Sequence, residues 1–368
     1  MHVCHFSDSS VEGDYFRNIA AGLTERGVKI SFIQLGTGTA PTWLSGFPSI
    51  SFLSLGAAGK SGYPKALRLL SRFLTDEGVD ILHTHLFFPG LLGVLTKRLR
   101  PKTIVALMRH HTDSVRRLGS RLHVAGDKWM ANKADHVLTV SNAARGYMVE
   151  VDGITRGDIE VVYLGFDFER LAPNEENGVG VRKEFGIGED DFVIGYVGNL
   201  IKGKGHVQLI EAFGGILAEI PNARLFFVGR GQLDEVAAAA RKIADGKIIF
   251  AGWRGDVPAC LNAMDLFVQP SLSEAFSQVL IEAMGAGLPV IATDVGGANE
   301  VIDNGANGIL IQPNVTAAIA REVAGLFRDS DRREKMAAAG LRSVRERFTA
   351  DQMVERHHAL YREWLGRN

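Results

Sequence analysis

The sequence predicts an α/β fold in which two parallel sheets, each covered by helices, form two domains. Thirteen short and largely apolar runs are typical of strands that are buried on both faces of a parallel sheet. Longer segments with helical periodicity separate these runs, and such alternation indicates crossover helices. Because thirteen strands are too many for one ordinary open sheet, we expect the 368 residues to form two Rossmann-like domains.

The strand candidates fall into two groups along the chain. The first group is HVCHFS, KISFIQL, SISFLSL, DILHTHLF, TIVALMR, HVLTVS and IEVVYLG. The second group is FVIGYVGN, ARLFFVG, KIIFAGW, LFVQPS, PVIATDV and GILIQP. The polar, glycine-rich stretch 171–188 lies between the groups and is predicted to be a linker. We therefore expect an N-terminal domain over residues 1–170 and a C-terminal domain over residues 171–349.

Composition favours a protein of the reducing cytoplasm. The chain is 46% hydrophobic and 23% charged, and its longest apolar run, Leu86 to Leu95, is half of what a membrane-spanning helix needs. No basic segment followed by an apolar one marks the N-terminus as a secretory signal. The two cysteines, Cys4 and Cys260, form no CxxC pair, so neither a disulfide framework nor a zinc site is expected.

Charge is unevenly distributed along the chain. Residues 1–170 hold 20 Lys and Arg against 16 Asp and Glu, whereas residues 171–368 hold 21 against 26. Within residues 60–133 the balance is 14 basic against 5 acidic residues, with five histidines besides. This region is either a solvated basic face or a surface that contacts an anionic acceptor or the inner face of an anionic membrane.

The stretch SEAFSQVLIEAMGAGLPVIATDVGG, residues 273–297, carries the strongest chemical signal. It places Glu274 in a loop after a strand and Glu282 in the helix that follows. The first turn of that helix has free N–H groups and a positive dipole end, which suit a phosphate. Glu282 could accept hydrogen bonds from the vicinal hydroxyls of a ribose, and Glu274 could accept one from a sugar hydroxyl. The pair Gly296-Gly297 allows backbone to approach a ligand closely.

This stretch resembles the Glu-x7-Glu motif of retaining glycosyltransferases of the GT-B fold, in family four, which is also called group 1. The resemblance implies that Glu274 contacts the donor sugar and that Glu282 contacts the nucleotide ribose. It also implies that backbone groups meet sugar and phosphate oxygens at Phe276, Ser277, Gln278, Gly296 and Gly297.

The segment VGNLIKGKGHVQLIEAF, residues 197–213, is similar to the strand, loop and helix in which that family holds the diphosphate. Gly198 lies in this turn, and Lys204 matches the family's lysine. The family's arginine position holds Asn199, which can donate a hydrogen bond but carries no charge. Either Lys202 or Arg230 supplies the missing cation, or the leaving group depends on Lys204 and helix dipoles.

Two further segments resemble the donor side of the family. FVGRGQLDE looks like its Gly-x-Gly turn, with Arg230 where an acidic residue is common. FAGWRGDVPACLNAMDLFVQPS looks like its base-binding segment, in which backbone near Gly252 and Trp253 reads the nucleobase. Arg254 is either a phosphate or base contact or a surface residue.

The first half of the chain matches the family more loosely, as an acceptor domain would. The turn SSVEGD retains only Gly13 of the family's glycine-rich turn, and the absence of Gly-x-Gly-x-x-Gly disfavours a dinucleotide oxidoreductase. His110 and His111 end another strand, and the resemblance favours His111 near the donor sugar.

Two further histidines, His83 and His85, share one face of a strand because side chains alternate along it. They lack an evident third metal ligand, so a core position or an acceptor-facing position is expected, and no metal site is predicted. The C-terminal segment 350–368 reads as an amphipathic helix, and the resemblance implies that it packs back on the N-terminal domain.

The resemblance implies a retaining transferase that moves a sugar from a nucleotide diphosphate sugar, with UDP favoured over GDP and ADP, to a hydroxyl of a glycan, lipid or small molecule. No metal is expected, since no Asp-x-Asp pair lies at a strand end and the resemblance implies a fold class that usually works without one. No cofactor and no nucleic-acid partner are expected either. Two alternatives remain on the same fold. One is a catalytically silent nucleotide- or sugar-binding protein, and the other is a glycosyl phosphorylase or nucleotide-sugar epimerase.

Overall fold

A computed structural model of the chain describes residues 1–8, 13–111, 121–231, 240 and 246–366. It divides into two units. Unit 1 comprises residues 1–166 and 350–368, and unit 2 comprises residues 167–349.

Unit 1 is built on a sheet of seven parallel strands. The strands are β1 (His2–Ser7), β2 (Lys29–Gln34), β3 (Ser51–Ser54), β4 (Ile81–His85), β5 (Ile104–Arg109), β6 (His136–Thr139) and β7 (Ile159–Val161). Their order across the sheet is β3-β2-β1-β4-β5-β6-β7. The central strands β1 and β4 are buried along their whole length, although His5, His83 and His85 interrupt their apolar sequence.

The helices of unit 1 connect these strands. In the described part of the unit they are α1 (Asp14–Glu25), α2 (Tyr63–Asp76), α3 (Phe87–Thr96), α4 (Arg121–Lys133) and α5 (Asn142–Gly146). Short 3₁₀ turns span Thr42–Gly46 and Lys60–Gly62, and a π-helical turn spans Tyr147–Val151. The amphipathic helix α2 buries Ala66, Leu70 and Leu74 and exposes its basic side chains.

The last helix of the chain, α14 (Ala350–Trp364), belongs to unit 1 and packs against α1. Gly22 permits the close approach, because a Cβ there would lie 2.7 Å from the side chain of Val354. Arg26, which follows the last residue of α1, forms an ion pair with Asp351 at 2.7 Å. At the start of α14, the Ala350 N–H donates to the Phe166 carbonyl at 3.0 Å.

Unit 2 contains a second sheet of six parallel strands. They are β8 (Phe192–Val197), β9 (Ala223–Val228), β10 (Ile248–Gly252), β11 (Leu266–Gln269), β12 (Val290–Thr293) and β13 (Ile309–Ile311). The order across the sheet is β10-β9-β8-β11-β12-β13. The predicted α/β class is confirmed, and each of the thirteen strand candidates corresponds to one of the observed strands.

Helices cover the sheet of unit 2. In the described residues they are α6 (Phe168–Leu171), α7 (Glu175–Glu184), α8 (His206–Glu219), α9 (Val257–Asn262), α10 (Gln278–Gly285), α11 (Ala298–Val301), α12 (Thr316–Arg328) and α13 (Ser330–Arg347). Helix α8 is fixed to the sheet by buried residues that include Leu209, Phe213 and Ile216.

Part of the predicted linker is helical rather than irregular. Helix α7 has Asn174 as its N-cap, whose side chain accepts from the Asn177 N–H at 3.0 Å, and it carries acidic residues in the first turn and basic residues in the last. Gly178 lets it pack tightly, because a Cβ there would lie 2.3 Å from the Asn262 carbonyl oxygen. Capping and close packing therefore override the polar composition of this stretch.

No helix among the described residues has both the length and the apolar character needed to cross a membrane.

Candidate active site in unit 2

A cavity of about 300 Å³ opens at the carboxyl ends of β8 and β11. The chain runs from β8 to β9 and β10 on one side and then returns to β11 on the other side of β8, so the strand order reverses here. Such a reversal is where open α/β sheets bind ligands. The lining residues are Tyr196, Val197, Gly198, Asn199, Lys204, Gln269, Glu274, Phe276, Ser277, Gln278, Val279 and Glu282.

Glu274 lies in the loop after β11, and its side chain is 12% exposed. Its Oε1 atom accepts hydrogen bonds from Lys204 Nζ at 2.7 Å and from Ser271 Oγ at 2.8 Å. Gln269 Nε2 donates to the same oxygen at 3.0 Å. Three donors therefore fix the position of one carboxylate oxygen at the wall of the cavity.

Helix α10 begins at the cavity. Its N-cap residue is Ser277, whose Oγ accepts from the Leu280 N–H at 3.3 Å and donates to Gln269 Oε1 at 2.6 Å. Gln278 and Glu282 are four residues apart in this helix, so they share one face, and both line the cavity. The structure thus brings Glu274 and Glu282 to the same cavity, with the positive end of a helix dipole between them.

Two glycines allow the loops of the cavity to pack closely. Gly205 has φ +73°, and a Cβ there would lie 1.8 Å from the Pro270 carbonyl oxygen. Gly296 has φ +55°, and a Cβ there would lie 1.8 Å from the Glu274 carbonyl oxygen. Gly297 continues this contact, since its N–H donates to the Ala275 carbonyl at 3.2 Å. The Gly-Gly turn therefore supports the backbone of the Glu274 loop.

The turn after β8 forms another wall of the cavity. Asn199 is exposed there, and its carbonyl accepts from the buried Tyr196 hydroxyl at 3.3 Å. Burial raises the pKa of Tyr196, and the nearby charge of Glu274 raises it further, so this phenol stays protonated. Gly198 and Asn199 both line the cavity, as does Lys204, so all three predicted residues of this segment lie together.

The predicted base-binding residues lie at the ends of β9 and β10, outside the lining of the cavity. The Gly229 N–H donates to the Gly252 carbonyl at 2.8 Å, which joins the two strand ends. The guanidinium of Arg230 lies over the ring of Trp253 at 4.8 Å, and Trp253 is 64% exposed. The pair presents a cationic and aromatic surface to solvent.

Arg254 is already engaged by neighbouring carboxylates. It pairs with Glu184 at 2.5 Å and with Asp256 at 2.7 Å, and its guanidinium lies 5.6 Å from the centre of the Phe185 ring. These hydrogen bonds raise the pKa of Arg254 above its usual value. Of the two roles that the sequence left open, these contacts favour the surface role.

The remaining predicted residues are in unit 1. Gly13 is exposed at the N-cap of α1 with φ −66°, a conformation that any residue adopts, and residues 9–12 of the predicted turn lie outside the described residues. His111 is half-buried, and its carbonyl accepts from Arg109 Nε at 3.0 Å. Arg109 itself is buried and paired with Asp127 and Asp152, so it adds nothing to the surface charge of residues 60–133.

His83 and His85 belong to a buried layer of histidines beneath α1 and α14. His5 Nδ1 lies 2.9 Å from His85 Nε2, and His85 Nδ1 lies 2.9 Å from His110 Nε2. His83 Nδ1 lies 2.5 Å from the Tyr361 hydroxyl. Because His83 and His85 are almost fully enclosed, contact with an acceptor would first require their exposure.

The layer also contains the third histidine that the sequence did not reveal. One ring nitrogen of each of His5, His83 and His85 lies within 4.8 Å of the others. The rings of His5 and His85 are stacked and hydrogen-bonded to each other, so an ion would have to replace that hydrogen bond. Burial lowers the pKa of His5 to about 3 and of His110 to about 4, so these rings are neutral at pH 7.

Gln269 and Tyr196 are cavity residues that sequence reasoning missed. The only signal for Gln269 was a lone polar residue at the end of an apolar run, directly before Pro270. Such a residue is usually a solvated strand end. Its pairing with Glu274 depends on the loop that returns to it, which no local pattern shows.

Comparison with known proteins identifies the family and the fold of the chain. Residues 181–342 match the family of group 1 glycosyl transferases, and residues 13–170 match glycosyltransferase family 4. The two Rossmann-like sheets define the GT-B class of fold. The chain belongs to the group 1 glycosyltransferases, and it is therefore a glycosyltransferase.

Curated relatives are similar over most of their length. The N-acetyl-alpha-D-glucosaminyl L-malate synthase of Bacillus anthracis is 28% identical, over 93% of this chain and 91% of the relative. The UDP-Gal:alpha-D-GlcNAc-diphosphoundecaprenol alpha-1,3-galactosyltransferase of Escherichia coli is 29% identical, over 68% of this chain and 67% of the relative.

Solved structures share the fold at lower identity. HepE of Anabaena in complex with UDP-glucose has a TM-score of 0.82 and 21% identity, over 98% of this chain and 99% of HepE. The sucrose-phosphate synthase of Thermosynechococcus elongatus has a TM-score of 0.85 and 19% identity, over 100% of both chains.

Proposed function

We propose that this protein is a retaining, metal-independent glycosyltransferase that moves a sugar from a UDP-sugar to a hydroxyl acceptor. The observation that carries the proposal is the cavity at the strand-order reversal, where Glu274 and Glu282 flank the first turn of α10 and Lys204 provides a cation. A nucleotide sugar presents the matching groups, namely sugar hydroxyls, ribose hydroxyls and a diphosphate.

Transfer on the front face of the sugar fits these residues. The bond between the sugar C1 and the diphosphate oxygen breaks, and the acceptor oxygen bonds to C1 on the same face. The acceptor's proton passes to the leaving phosphate oxygen. Lys204 and the α10 N-terminus stabilise the charge that develops on the diphosphate, while Glu274 holds the sugar by a hydroxyl.

We assign the donor to unit 2 and the acceptor to unit 1, with His110 on the acceptor side and His111 near the donor sugar. The N-acetyl-alpha-D-glucosaminyl L-malate synthase among the relatives favours a small-molecule acceptor, and the diphosphoundecaprenol galactosyltransferase favours a lipid-linked one. Both support a role in bacterial polysaccharide or glycoconjugate synthesis. We expect the protein to act in the cytoplasm, at or near the inner face of the membrane.

Asn199 favours a second candidate, a protein that binds nucleotide sugars without turning them over. It occupies a wall of the cavity where the resemblance implies an arginine, and an amide cannot neutralise a diphosphate. Binding of UDP-sugar with neither transfer nor hydrolysis would favour this candidate.

The test of the proposed function is calorimetric titration with UDP, GDP and ADP in EDTA. We expect UDP to bind in the micromolar range. Lys204→Met should weaken UDP binding roughly ten- to a hundredfold, because one charge-assisted contact is lost, and should change uridine binding little. Lys335→Met, at an exposed lysine of α13, is the control. Failure of all three nucleotides to bind the folded protein would refute the proposal.

We also propose that the basic part of unit 1 contacts anionic membrane. Lys60, Lys65 and Arg68 are exposed on and beside α2, and the next residue, Leu69, is 37% exposed. Basic residues near an anionic surface contribute about 1 kcal/mol each. Replacing all three with Gln should reduce pelleting with vesicles of anionic lipid, whereas the same change at Arg332, Lys335 and Arg342 of α13 should not. This contact would be contradicted if the fraction of wild-type protein that pellets with vesicles changed neither with the content of anionic lipid nor with the salt concentration.

A further inference from the structure

Gln269 is the last residue of β11 and is 8% exposed, yet both ends of its amide are engaged. Its Nε2 donates to Glu274 Oε1 at 3.0 Å, and its Oε1 accepts from Ser277 Oγ at 2.6 Å. The carboxylate fixes this orientation, because a flipped amide would place its oxygen against an oxygen that only accepts.

The contact selects one of the two carboxylate oxygens. Gln269, Ser271 and Lys204 all donate to Oε1 of Glu274, so that atom is saturated. Oε2 is then the oxygen that can accept from a ligand in the cavity. This asymmetry determines which way the carboxylate faces.

The same amide reaches the helix on the other side of the cavity. Ser277 Oγ, which donates to Gln269, also accepts from the Leu280 N–H in the first turn of α10. One buried side chain therefore joins the carboxylate to the helix end that lines the cavity with Gln278 and Glu282.

We propose that Gln269 is a positioning residue, which orients Glu274 toward the donor sugar and couples it to the N-terminus of α10. This inference rests on the proposed function and names a further residue for it. In this proposal Gln269 acts through Glu274 and Ser277 rather than by direct contact with the substrate.

The chemistry of the site requires a side chain that donates on one side and accepts on the other. A leucine of similar size would leave Glu274 with one donor fewer and Ser277 Oγ without its acceptor. A glutamate at position 269 would bring its carboxylate against that of Glu274, and the two negative charges would repel. If one of the two carboxylates carries a proton, its O–H replaces the amide donor. The two substitutions therefore have different signatures.

The experiment compares Gln269→Leu and Gln269→Glu with Gln34→Leu. Gln34 is a matched control, because it also ends a strand, is 7% exposed, and donates to a backbone carbonyl, that of Thr37, in unit 1. UDP release from UDP-glucose gives kcat and KM across pH, and calorimetry gives the Kd of UDP.

We expect kcat of Gln269→Leu to fall roughly ten- to a hundredfold, as for a lost hydrogen bond to a charged group, with the Kd of UDP changed less than about threefold. The Gln269→Glu variant should be poor at neutral pH and regain activity as the pH is lowered. Gln34→Leu should keep the kcat and pH profile of the wild type.

Crystal structures of the leucine variants separate this inference from the proposed function. Displacement of the Glu274 carboxylate in Gln269→Leu, with no change in Gln34→Leu, supports the positioning role even if no sugar is transferred. A carboxylate that stays in place, or a Gln269→Glu profile with no recovery at acid pH, overturns it. Absence of turnover in the wild type counts against the proposed function alone.

Discussion

Glu274 carries a charge that unit 2 holds in place with three donors on one oxygen. Lys204 supplies the cation, and the pair lies at the cavity wall with only 12% of the Glu274 side chain exposed. Hydrogen bonds to a charged group are the stronger kind, so the carboxylate is held in one orientation before a ligand arrives. Preorganised polar groups of this kind are what electrostatic catalysis requires.

We expect Glu274→Gln to lower kcat about a hundredfold or more, because an amide keeps the size but loses the charge-assisted contact with the sugar. The Kd of UDP should change less than about threefold, since the nucleotide does not depend on this contact. UDP release and calorimetry measure the two quantities. The control is Glu355→Gln, because Glu355 is an exposed residue of α14 in unit 1, where it forms an ion pair with Arg26. Wild-type kcat in Glu274→Gln would contradict the role assigned to this residue.

The loops of the site are held together by backbone contacts that only glycine permits. The turn before α11 touches the carbonyl of Glu274 at Gly296, and the turn before α8 touches the carbonyl of Pro270 at Gly205. Both glycines have φ in the left-handed region, where a Cβ is strained even in open space. The geometry of the cavity is therefore set by loops packed backbone to backbone.

Replacing Gly296 with Ala combines strain with a clash, whereas the same change at Gly305 gives strain alone. Gly305 has φ +85° and no atom near the added Cβ. We expect Gly305→Ala to lower the free energy of unfolding by roughly 1–2 kcal/mol. Gly296→Ala should lower it further and reduce kcat, because the Glu274 loop must move. Urea denaturation and UDP release test this, and equal behaviour of the two variants would show that the contact is unimportant.

The strands could be predicted from sequence, because a parallel strand that is buried on both faces has a short and largely apolar sequence. Helix α7 was missed because its sequence is polar, and its stability depends on the Asn174 cap and on close packing at Gly178. The two glutamates of the cavity were found because their spacing forms a known motif. Gln269 was not predicted as a site residue, because its partners Glu274 and Ser277 lie in a loop and at a helix N-terminus that contact it only in the folded protein.

At the scale of the whole molecule, unit 1 contains a layer of buried histidines between its sheet and the helices α1 and α14. His5, His83 and His85 come from β1 and β4, and His357 comes from α14. Tyr15 meets this layer from α1, where its hydroxyl lies 3.3 Å from His357 Nε2. Burial lowers the pKa of all four histidines, that of His5 to about 3 and that of His357 to about 4.

Stability should therefore fall as the pH falls below about 6.5, the unfolded value of histidine. Between that value and the folded values near 3 and 4, the unfolded chain binds more protons than the folded one. Each such histidine then lowers the free energy of unfolding by roughly 1.4 kcal/mol per pH unit. Urea midpoints at pH 7.5, 6 and 5 measure the effect.

The variant His5→Phe should show a shallower pH dependence, because one titrating ring is removed where Phe16 and Phe32 already pack. The same change at His123, on α4 beside Phe87, is the control. Urea midpoints of the wild type that do not change from pH 7.5 to pH 5 would contradict the role of this layer.

The hydrogen bond from the Ala350 N–H to the Phe166 carbonyl determines where the chain could be cut and rejoined to give unit 1 on its own. The chain leaves unit 1 at residue 166 and re-enters it at residue 350, and these two points are neighbours in space. In topological terms unit 2 is an insertion within unit 1, although it is written as the second half of the sequence. Cutting the chain at its midpoint would strip unit 1 of α14, whereas joining residue 166 to residue 350 through a short linker would keep the layer of histidines covered.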